Sequence, residues 1–312
     1  MVSNLLTRYH HPIMLNGLHF LLTYTCLYEC DHCFLYCGPA AEGTFTLDQV
    51  EAAIEQGIEA GVETLFFEGG EPFLYHPLLV AAVRRGKKRG LSCRLVTNCY
   101  WATAVRDAEL WLAPLQQAGL DSLSVSADEF HGEDSAESPP SIAQAAAQRL
   151  GLNVDSICIE GPTAQKGSGQ NRGDPVIGGD VLLKGRAVEK LVADLPRRSY
   201  RCFTECGGEE LASPSRIHLD PFGNVFVCQG LSIGNIWQKP LARIFAEYDP
   251  GAHPIVGPLL AGGPAALAEQ YGPPDGEQYV SDCHLCYLVR RNLLDRFPET
   301  LCPQQVYGKP GS

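Results

Sequence analysis

Residues 17–33 have the sequence GLHFLLTYTCLYECDHC, in which an apolar segment leads directly into three closely spaced cysteines. The apolar first half is typical of a buried strand that ends in a polar loop. That loop supplies Cys26, Cys30 and Cys33, and we call residues 26–33 the three-cysteine loop. Thiolates hold iron–sulfur clusters, whereas zinc loops normally supply cysteine or histidine in pairs. Three thiolates in one loop therefore predict a four-iron cluster with one iron left open for another ligand.

Downstream of this loop, segments with strand and helix patterns alternate at least four times with short connections. Such alternation implies parallel strands with right-handed crossovers, hence an α/β sheet or barrel. The expected strands are Thr64–Phe67, Leu91–Val96, Asp121–Val125, Val154–Ile159 and Asp180–Leu183. After about residue 200 the strand–helix alternation gives way to a hairpin pattern and short helices, and we expect the first domain to end there.

The carboxyl ends of the expected strands bring four segments to one face, where folds of this class carry their chemistry. All four segments are rich in cysteine, glycine or polar side chains. They are residues 25–37, 68–72, 97–101 and 126–132. In the last of them, Asp128 and His131 could supply an acid, a base or a substrate contact. A solvated loop is the alternative interpretation of that segment.

Two motifs in these segments resemble those of the radical SAM enzymes. The spacing C-x3-C-x2-C of the three-cysteine loop, after the first strand of a β/α domain, is similar to the signature of that family. Glu68-Gly69-Gly70-Glu71-Pro72 follows the second strand and resembles the family's GGEP element, in which glycines allow close approach of the backbone to a ligand. The resemblance implies an α/β fold: a partial (β/α)6 TIM-like barrel in residues 1–200 that binds a [4Fe-4S] cluster and S-adenosylmethionine.

In that family the open iron chelates the amino and carboxylate groups of S-adenosylmethionine. A one-electron donor of the flavodoxin or ferredoxin type is implied, and cleavage gives a 5′-deoxyadenosyl radical that abstracts hydrogen from a C–H bond. The resemblance assigns cofactor contacts to the glycine motif, to the residue before the third cysteine and to two polar strand ends. These residues are Gly69, Gly70, Glu71, Pro72, His32, Asn98 and Ser126. For Asn98 and Ser126 an ordinary polar strand end is an equally good interpretation, and no catalytic side chain is assigned.

Six further cysteines follow residue 200, namely Cys202, Cys206, Cys228, Cys283, Cys286 and Cys302. A cysteine, then G-x4-C on a hairpin, then a distant cysteine resembles the twitch or SPASM extension of the same family. The resemblance implies that residues 201–312 form a small α+β domain with one auxiliary [4Fe-4S] cluster. Its expected ligands, which we call the auxiliary cysteines, are Cys206, Cys228, Cys283 and Cys286. Cys202 or Cys302 as a ligand, and a structural zinc site in place of the cluster, are the alternatives.

The substrate is predicted only as a class. Family members with this extension act most often on peptides or proteins, by oxidation or crosslinking, and some act on small molecules such as amino acid or sugar derivatives. The first strand begins near residue 17, so we expect no leader-binding domain before it, which weighs against a peptide. A non-catalytic iron–sulfur or zinc-binding protein is the third hypothesis, and the intact GGEP motif argues against it.

Charge and hydropathy exclude several other classes of protein. Acidic residues outnumber basic ones by 36 to 24, so the chain has no general electrostatic reason to bind nucleic acid or an anionic membrane. No apolar run is long enough for a membrane span or a signal peptide. We therefore expect a cytoplasmic protein, in which the 13 cysteines stay reduced. Of the four single cysteines, Cys93 and Cys158 are assigned to packing. Cys37 and Cys99 fall near the expected active face and could be reactive, and packing is the favoured interpretation for them.

Overall fold

Alternating strands and helices build the N-terminal part of the molecule. The structure is a computed structural model that describes residues 15–132, 135, 137–166, 175–274 and 276–309. The elements in this part are β1 (Gly17–Thr23), α1 (Leu47–Glu59), β2 (Thr64–Gly69), a 3-10 helix (Pro72–Tyr75), α2 (His76–Lys88), β3 (Ser92–Thr97), α3 (Val105–Ala118), β4 (Ser122–Ser126), α4 (Pro139–Arg149) and β5 (Asn153–Ile157).

Strands β1 to β5 lie side by side in chain order, and every neighbouring pair is parallel. Within the described residues the sheet stays open instead of closing into a complete barrel. The predicted α/β fold of the partial-barrel type is therefore confirmed. Local sequence accounts for the helices: α1 begins after Thr46, whose hydroxyl accepts a hydrogen bond from the amide of Gln49 while the Gln49 side chain accepts one from the amide of Thr46. This reciprocal capping satisfies amides that the first helical turn leaves unpaired.

The strand expected at Asp180–Leu183 is wrong, because these residues form bends and irregular backbone. A hairpin precedes them, made of β6 (Thr163–Lys166) and β7 (Pro175–Gly178), and the short helix α5 (Ala187–Lys190) follows them. The chain between hairpin and helix turns towards the three-cysteine loop, where Arg186 binds backbone carbonyls. That tertiary contact replaces the strand pairing that the local sequence suggested.

The C-terminal part adds strands to the same sheet. Its elements are β8 (Arg198–Ser199), a 3-10 helix (Tyr200–Cys202), β9 (Arg216–Leu219), β10 (Asn224–Cys228), β11 (Leu231–Asn235), α6 (Leu241–Glu247), α7 (Val256–Tyr271), β12 (Gln278–Tyr279), α8 (Asp282–Asn292) and a 3-10 helix (Gln304–Tyr307). Strand β9 pairs in parallel with β1, and β10 and β11 continue the sheet in antiparallel fashion. The sheet thus runs through the boundary expected at residue 200, and the division into two domains stays a prediction.

Two hydrophobic cores lie on opposite faces of the sheet, as the alternation of side chains along β1 requires. Phe20 and Leu22 belong to the core beneath helices α1 to α4, whereas Leu21 belongs to the core that includes residues of α7 and α8. The second core also contains Cys26, so the C-terminal helices pack against the strand that leads into the three-cysteine loop. Within the described residues, none of the helices combines the length and apolar character that crossing a bilayer demands.

Candidate functional site

A cavity of about 310 Å³ lies at the carboxyl ends of β1 to β5, the face at which folds of this class carry their chemistry. Most of the residues predicted to hold the cluster or the cofactor line this one cavity. They are Cys26, Cys30, His32, Cys33, Gly69, Gly70, Asn98 and Ser126. Two other predicted residues, Glu71 and Pro72, are buried behind its wall.

The first sulfur of the three-cysteine loop accepts two hydrogen bonds. The amide of Tyr28 and the Nδ2 of Asn98 each lie 3.4 Å from the Sγ of Cys26. Donors to sulfur favour the thiolate and tune the potential of an iron–sulfur cluster. In this structure Asn98 therefore contacts a candidate cluster ligand, and its expected contact with S-adenosylmethionine stays a prediction.

Arg186 makes three hydrogen bonds to backbone carbonyls in and just after the three-cysteine loop. Its guanidinium donates to the carbonyls of Cys30 at 2.9 Å and Cys37 at 2.8 Å, and its amide donates to the carbonyl of Cys33 at 3.0 Å. Gly185 makes this approach possible, because its φ is +64° and an added Cβ would lie 2.4 Å from the Cα of Phe34. Arg186 thus holds the loop through its backbone carbonyls rather than through its thiols.

The two glycines of the GGEP motif are required by contacts within the protein. An added Cβ on Gly70 would lie 2.2 Å from the carbonyl oxygen of Thr25, and one on Gly69 would lie 2.6 Å from that of Thr23. The amide of Gly70 donates to the Thr23 carbonyl at 2.7 Å. Close approach of the ends of β1 and β2 therefore explains these glycines before any ligand is considered.

Glu71 connects the ends of β2 and β3. Its fully buried carboxylate accepts hydrogen bonds from the amides of Phe73 and Asn98, at 3.0 and 2.8 Å, and from the hydroxyl of Thr97 at 2.9 Å. Burial raises the pKa of Glu71 to about 7, against the opposite effect of these hydrogen bonds. The carboxylate positions Asn98, and its predicted contact with the cofactor ammonium stays a prediction.

A histidine–aspartate pair lies across the cavity from the GGEP motif. Nδ1 of His131 lies 2.7 Å from Oδ1 of Asp128, whose buried carboxylate also accepts a hydrogen bond from the amide of Ile159 at 3.3 Å. Burial alone would raise the pKa of Asp128, but the hydrogen bond with His131 holds it below its usual value. This pairing orients the imidazole, so Nε2 is the atom that can exchange a proton with a bound molecule.

His32 packs beside this pair, and one of its ring nitrogens lies within 4.8 Å of polar atoms of both Asp128 and His131. Its ring centroid lies 4.4 Å from that of Phe130 and 5.4 Å from that of His131. Burial lowers the pKa of His32, and its buried Nδ1 finds no hydrogen-bond partner in the described part of the chain. A neutral ring with an unsatisfied nitrogen in the cavity wall suits contact with a heterocycle such as adenine.

The auxiliary cysteines come together in a second, smaller cavity. All four line it, from the loop before β9, the end of β10 and the first turns of α8. Cys202 and Cys302 do not line this cavity; Cys202 is exposed, and Cys302 lies against the carbonyl of Glu299. The structure thus brings together the predicted set of four, while their role as ligands stays a prediction.

Two buried cations face the auxiliary cysteines. Nζ of Lys184 lies 3.6 Å from Sγ of Cys228 and donates to Oε1 of Gln229 at 2.6 Å. The guanidinium of Arg290 donates to the Gln229 carbonyl at 3.1 Å, yet its buried Nε has no partner among the residues described. Lys184 also lies 3.6 Å from a carboxylate oxygen of Glu209, so part of this charge is paired within the protein. Buried charges are costly unless they are paired, and the unsatisfied Arg290 therefore fits a neighbouring group that carries negative charge.

Some of these residues escaped the sequence analysis. Cys37 is buried, as packing requires, and it also lines the first cavity, where a hydrogen bond with its thiol lowers the pKa of Cys33. The packing assignment of Cys158 is wrong, because that residue is exposed. Arg290 had a usable signal, because it follows Cys286 by four residues and so shares its face of α8. Arg186 was given no role, since its partners are backbone carbonyls about 150 residues earlier in the chain.

The part of the chain that carries this geometry is similar to a known superfamily. Residues 20–147, from β1 into α4, match the model of the Radical SAM superfamily. The chain contains a radical SAM domain. This match agrees with the two motifs, which resemble those of enzymes that use S-adenosylmethionine and a [4Fe-4S] cluster. No curated protein sequence matches the chain.

Solved structures are similar to the radical SAM domain and the part that follows it. The crystal structure of BtrN in complex with AdoMet and 2-DOIA is 16% identical, with a TM-score of 0.51, and the match covers 75% of this chain and 83% of that one. Streptococcus suis SuiB bound to S-adenosylmethionine is 10% identical, with a TM-score of 0.39 and coverage of 76% and 66%. SuiB bound to precursor peptide SuiA is 12% identical, with a TM-score of 0.40 and coverage of 76% and 65%. At such identities the likeness to BtrN supports the fold.

Proposed function

We propose that this protein reductively cleaves S-adenosylmethionine and abstracts hydrogen from a C–H bond of its substrate. The observation that carries the proposal is the convergence of the three-cysteine loop, Gly69, Gly70 and Ser126 on one cavity in a radical SAM domain. When bound, a [4Fe-4S] cluster on Cys26, Cys30 and Cys33 and S-adenosylmethionine would supply the one-electron reduction and the hydrogen abstraction.

The residues around the cavity fit these two groups. All three thiols of the three-cysteine loop face the cavity, and the unsatisfied Nδ1 of His32 lies in its wall together with Ile157 and Ile159. An imidazole and two aliphatic side chains offer an adenine both a polar contact and an apolar surface. Ser126 and Asn98 provide hydroxyl and amide groups at neighbouring strand ends.

His131 is the residue that we propose to handle a substrate proton. Asp128 holds Nδ1, and Nε2 is then the nitrogen that can accept or donate in the cavity. A buried aspartate that holds one ring nitrogen in this way keeps the other nitrogen directed for proton transfer. The pair would serve a reaction in which hydrogen abstraction is accompanied by loss of a proton from the substrate.

We further propose that the auxiliary cysteines hold one [4Fe-4S] cluster. Four thiolates around such a cluster leave a net negative charge, which Lys184 and Arg290 would balance in a buried site. A zinc ion on the same four thiolates is the alternative, and only metal analysis separates the two.

The substrate class that we propose is a peptide or protein, modified by oxidation or crosslinking, since the late cysteine spacing resembles the extension found in such enzymes. A small amino acid or sugar derivative is the alternative substrate. The electron would come from a separate flavodoxin- or ferredoxin-type protein, and the reduced thiols suit the cytoplasm.

Formation of 5′-deoxyadenosine tests the proposal. The protein is reconstituted with iron and sulfide without oxygen, then mixed with S-adenosylmethionine and dithionite, and products are followed by liquid chromatography. We expect product from the parent and from Cys158→Ala, whose cysteine is exposed and lies in neither cysteine cavity. We expect none above background from Cys30→Ala. A parent that behaves like Cys30→Ala would identify a non-catalytic metal-binding protein instead.

A further inference from the structure

A second group of metal-ligating side chains lies on three adjacent strands of the sheet. His19 is on β1, Glu68 on β2 and His218 on β9. His19 is the register partner of His218, and Glu68 is the register partner of Leu21, two residues further along β1. Because side chains alternate along a strand, all three groups point to the same face. None of them belongs to either cysteine cluster.

The three side chains meet at one carboxylate oxygen. Nδ1 of His19 and Nε2 of His218 each lie 3.1 Å from Oε1 of Glu68. The histidine side chains are each 10% exposed and that of Glu68 is 23% exposed, so the group is largely shielded from solvent. Burial alone would raise the pKa of Glu68, but the two imidazoles hold it below its usual value.

Aromatic packing fixes the group before any ligand binds. The ring of His19 stacks on Phe66 with centroids 4.1 Å apart and planes within 8°, and the ring centroids of His19 and His218 are 4.7 Å apart. The guanidinium of Arg94 also lies over the Phe66 ring, 5.6 Å from its centroid. Ligands held in this way lose little conformational entropy on binding an ion.

We propose that His19, Glu68 and His218 bind a divalent first-row transition metal ion. Two imidazoles and one carboxylate are a donor set that zinc, iron(II) and manganese(II) accept in proteins. Two ligand atoms in neighbouring positions, each about 2.1 Å from an ion, lie roughly 3.0–3.4 Å apart. Here Nδ1 of His19 and Nε2 of His218 each lie 3.1 Å from Oε1 of Glu68, which is within that range.

The ion would lie beside the first cavity, because Glu68 also lines that cavity. Three protein ligands leave coordination positions for water or for an oxygen atom of a bound molecule. The competing interpretation is a hydrogen-bonded His–Glu–His cluster without an ion.

Manganese binding to the reconstituted protein tests the proposal. With the iron–sulfur clusters in their oxidised, EPR-silent state, Mn²⁺ is titrated in and the free-ion EPR signal is followed. We expect one Mn²⁺ per chain to leave the free pool and one equivalent of Zn²⁺ to displace it. Glu68→Gln and His218→Gln should each weaken binding at least about tenfold. Glu63→Gln, the same substitution at an exposed residue just before β2, should leave binding unchanged.

The two site variants separate the interpretations because each preserves a hydrogen bond. The new amide keeps an acceptor oxygen in Glu68→Gln and a donor N–H in His218→Gln. A purely hydrogen-bonded cluster therefore tolerates both substitutions, which circular dichroism and iron content verify. Absence of Mn²⁺ binding by the parent, or equal binding by parent and both variants, would overturn the proposal. If one variant misfolds, the other still decides.

Discussion

The two cysteine clusters of this protein are assembled in different ways. The three-cysteine loop collects its thiols within eight residues after one strand, and Arg186 holds it through backbone carbonyls. The auxiliary cysteines come from separate elements between Cys206 and Cys286, and the cations beside them, Lys184 and Arg290, face sulfur atoms. The first cluster is organised by local spacing, the second by the tertiary fold and by charge.

This difference corresponds to different chemistry at the two sites. Three thiols that line a cavity leave room for a small molecule to complete the coordination of a cluster. Four thiols with two buried cations form a closed donor set that suits a structural or electron-transfer role. Residues 184–186 contact both sites, with Lys184 at the auxiliary cysteines and Arg186 at the three-cysteine loop. A short segment therefore links two clusters that the sequence keeps far apart.

The largest expected effect separates the clusters by metal content. We expect about eight irons per reconstituted chain and about four in Cys283→Ala, because a missing thiolate removes the second cluster while the three-cysteine loop stays intact. The variant should still form 5′-deoxyadenosine, since its first site is unchanged. Iron, sulfide and zinc assays on the same samples provide the measurement.

Cys202→Ala is the matched control for that experiment, because Cys202 is exposed and lies outside the second cavity. It should retain about eight irons. A fall to about four irons in Cys202→Ala would show that we chose the wrong ligand. One zinc per chain in the parent, lost in Cys283→Ala, would replace the auxiliary cluster by a structural zinc site.

A smaller expected effect tests whether the charge of Arg290 influences the reduction potential of the auxiliary cluster. Replacing Arg290 by Met removes a buried cation beside the thiolates, so adding an electron there becomes less favourable. We expect the reduction potential of the auxiliary cluster to fall by on the order of 50–100 mV, equivalent to about 1–2 kcal/mol per electron. The measurement is an EPR-monitored redox titration in a Cys30→Ala background, where a single cluster contributes.

Arg290→Lys keeps the charge and is the control for the Arg290→Met titration. Its potential should stay close to that of the parent. Equal shifts in the two variants would mean that the guanidinium acts through packing and hydrogen bonding to the Gln229 carbonyl rather than through its charge.

The contrast between local spacing and tertiary assembly also explains how much of the fold and of the candidate site could be predicted from the sequence. The three-cysteine loop and the strand-end positions of Asn98 and Ser126 follow from spacing and from the strand–helix alternation, which are local signals. The auxiliary cysteines were found by resemblance, and the fold does bring them together. Lys184 received no role from the sequence, because its sulfur partner lies 44 residues away. The strand expected at Asp180–Leu183 is wrong, and most of that segment instead lines the first cavity, a tertiary placement that the local β pattern does not reveal.

The smallest predicted effect concerns the buried contact between the end of β1 and the turn between β9 and β10. Asp220, in the turn between β9 and β10, is fully buried and accepts hydrogen bonds from Tyr24 at 3.1 Å and from the amide of Asn224 at 2.9 Å. Burial raises the pKa of Asp220 from 3.8 to about 6, against the opposite effect of these hydrogen bonds. The folded state thus binds this proton more tightly than the unfolded state does, and the free energy of unfolding falls as pH rises through this range.

Between about pH 5 and pH 7, Asp220 should cost the parent about 1 kcal/mol of stability, and the loss should level off above that range. Asp220→Asn removes the titration, so the stability of the variant relative to the parent should rise over that interval and then stay constant. Denaturant unfolding of the two proteins at matched pH values measures the difference. A difference that does not change with pH would show that Asp220 stays ionised throughout, with its hydrogen bonds outweighing the cost of burial. The hydrogen bond from Tyr24 to Asp220 would then be a charge-assisted one at every pH tested.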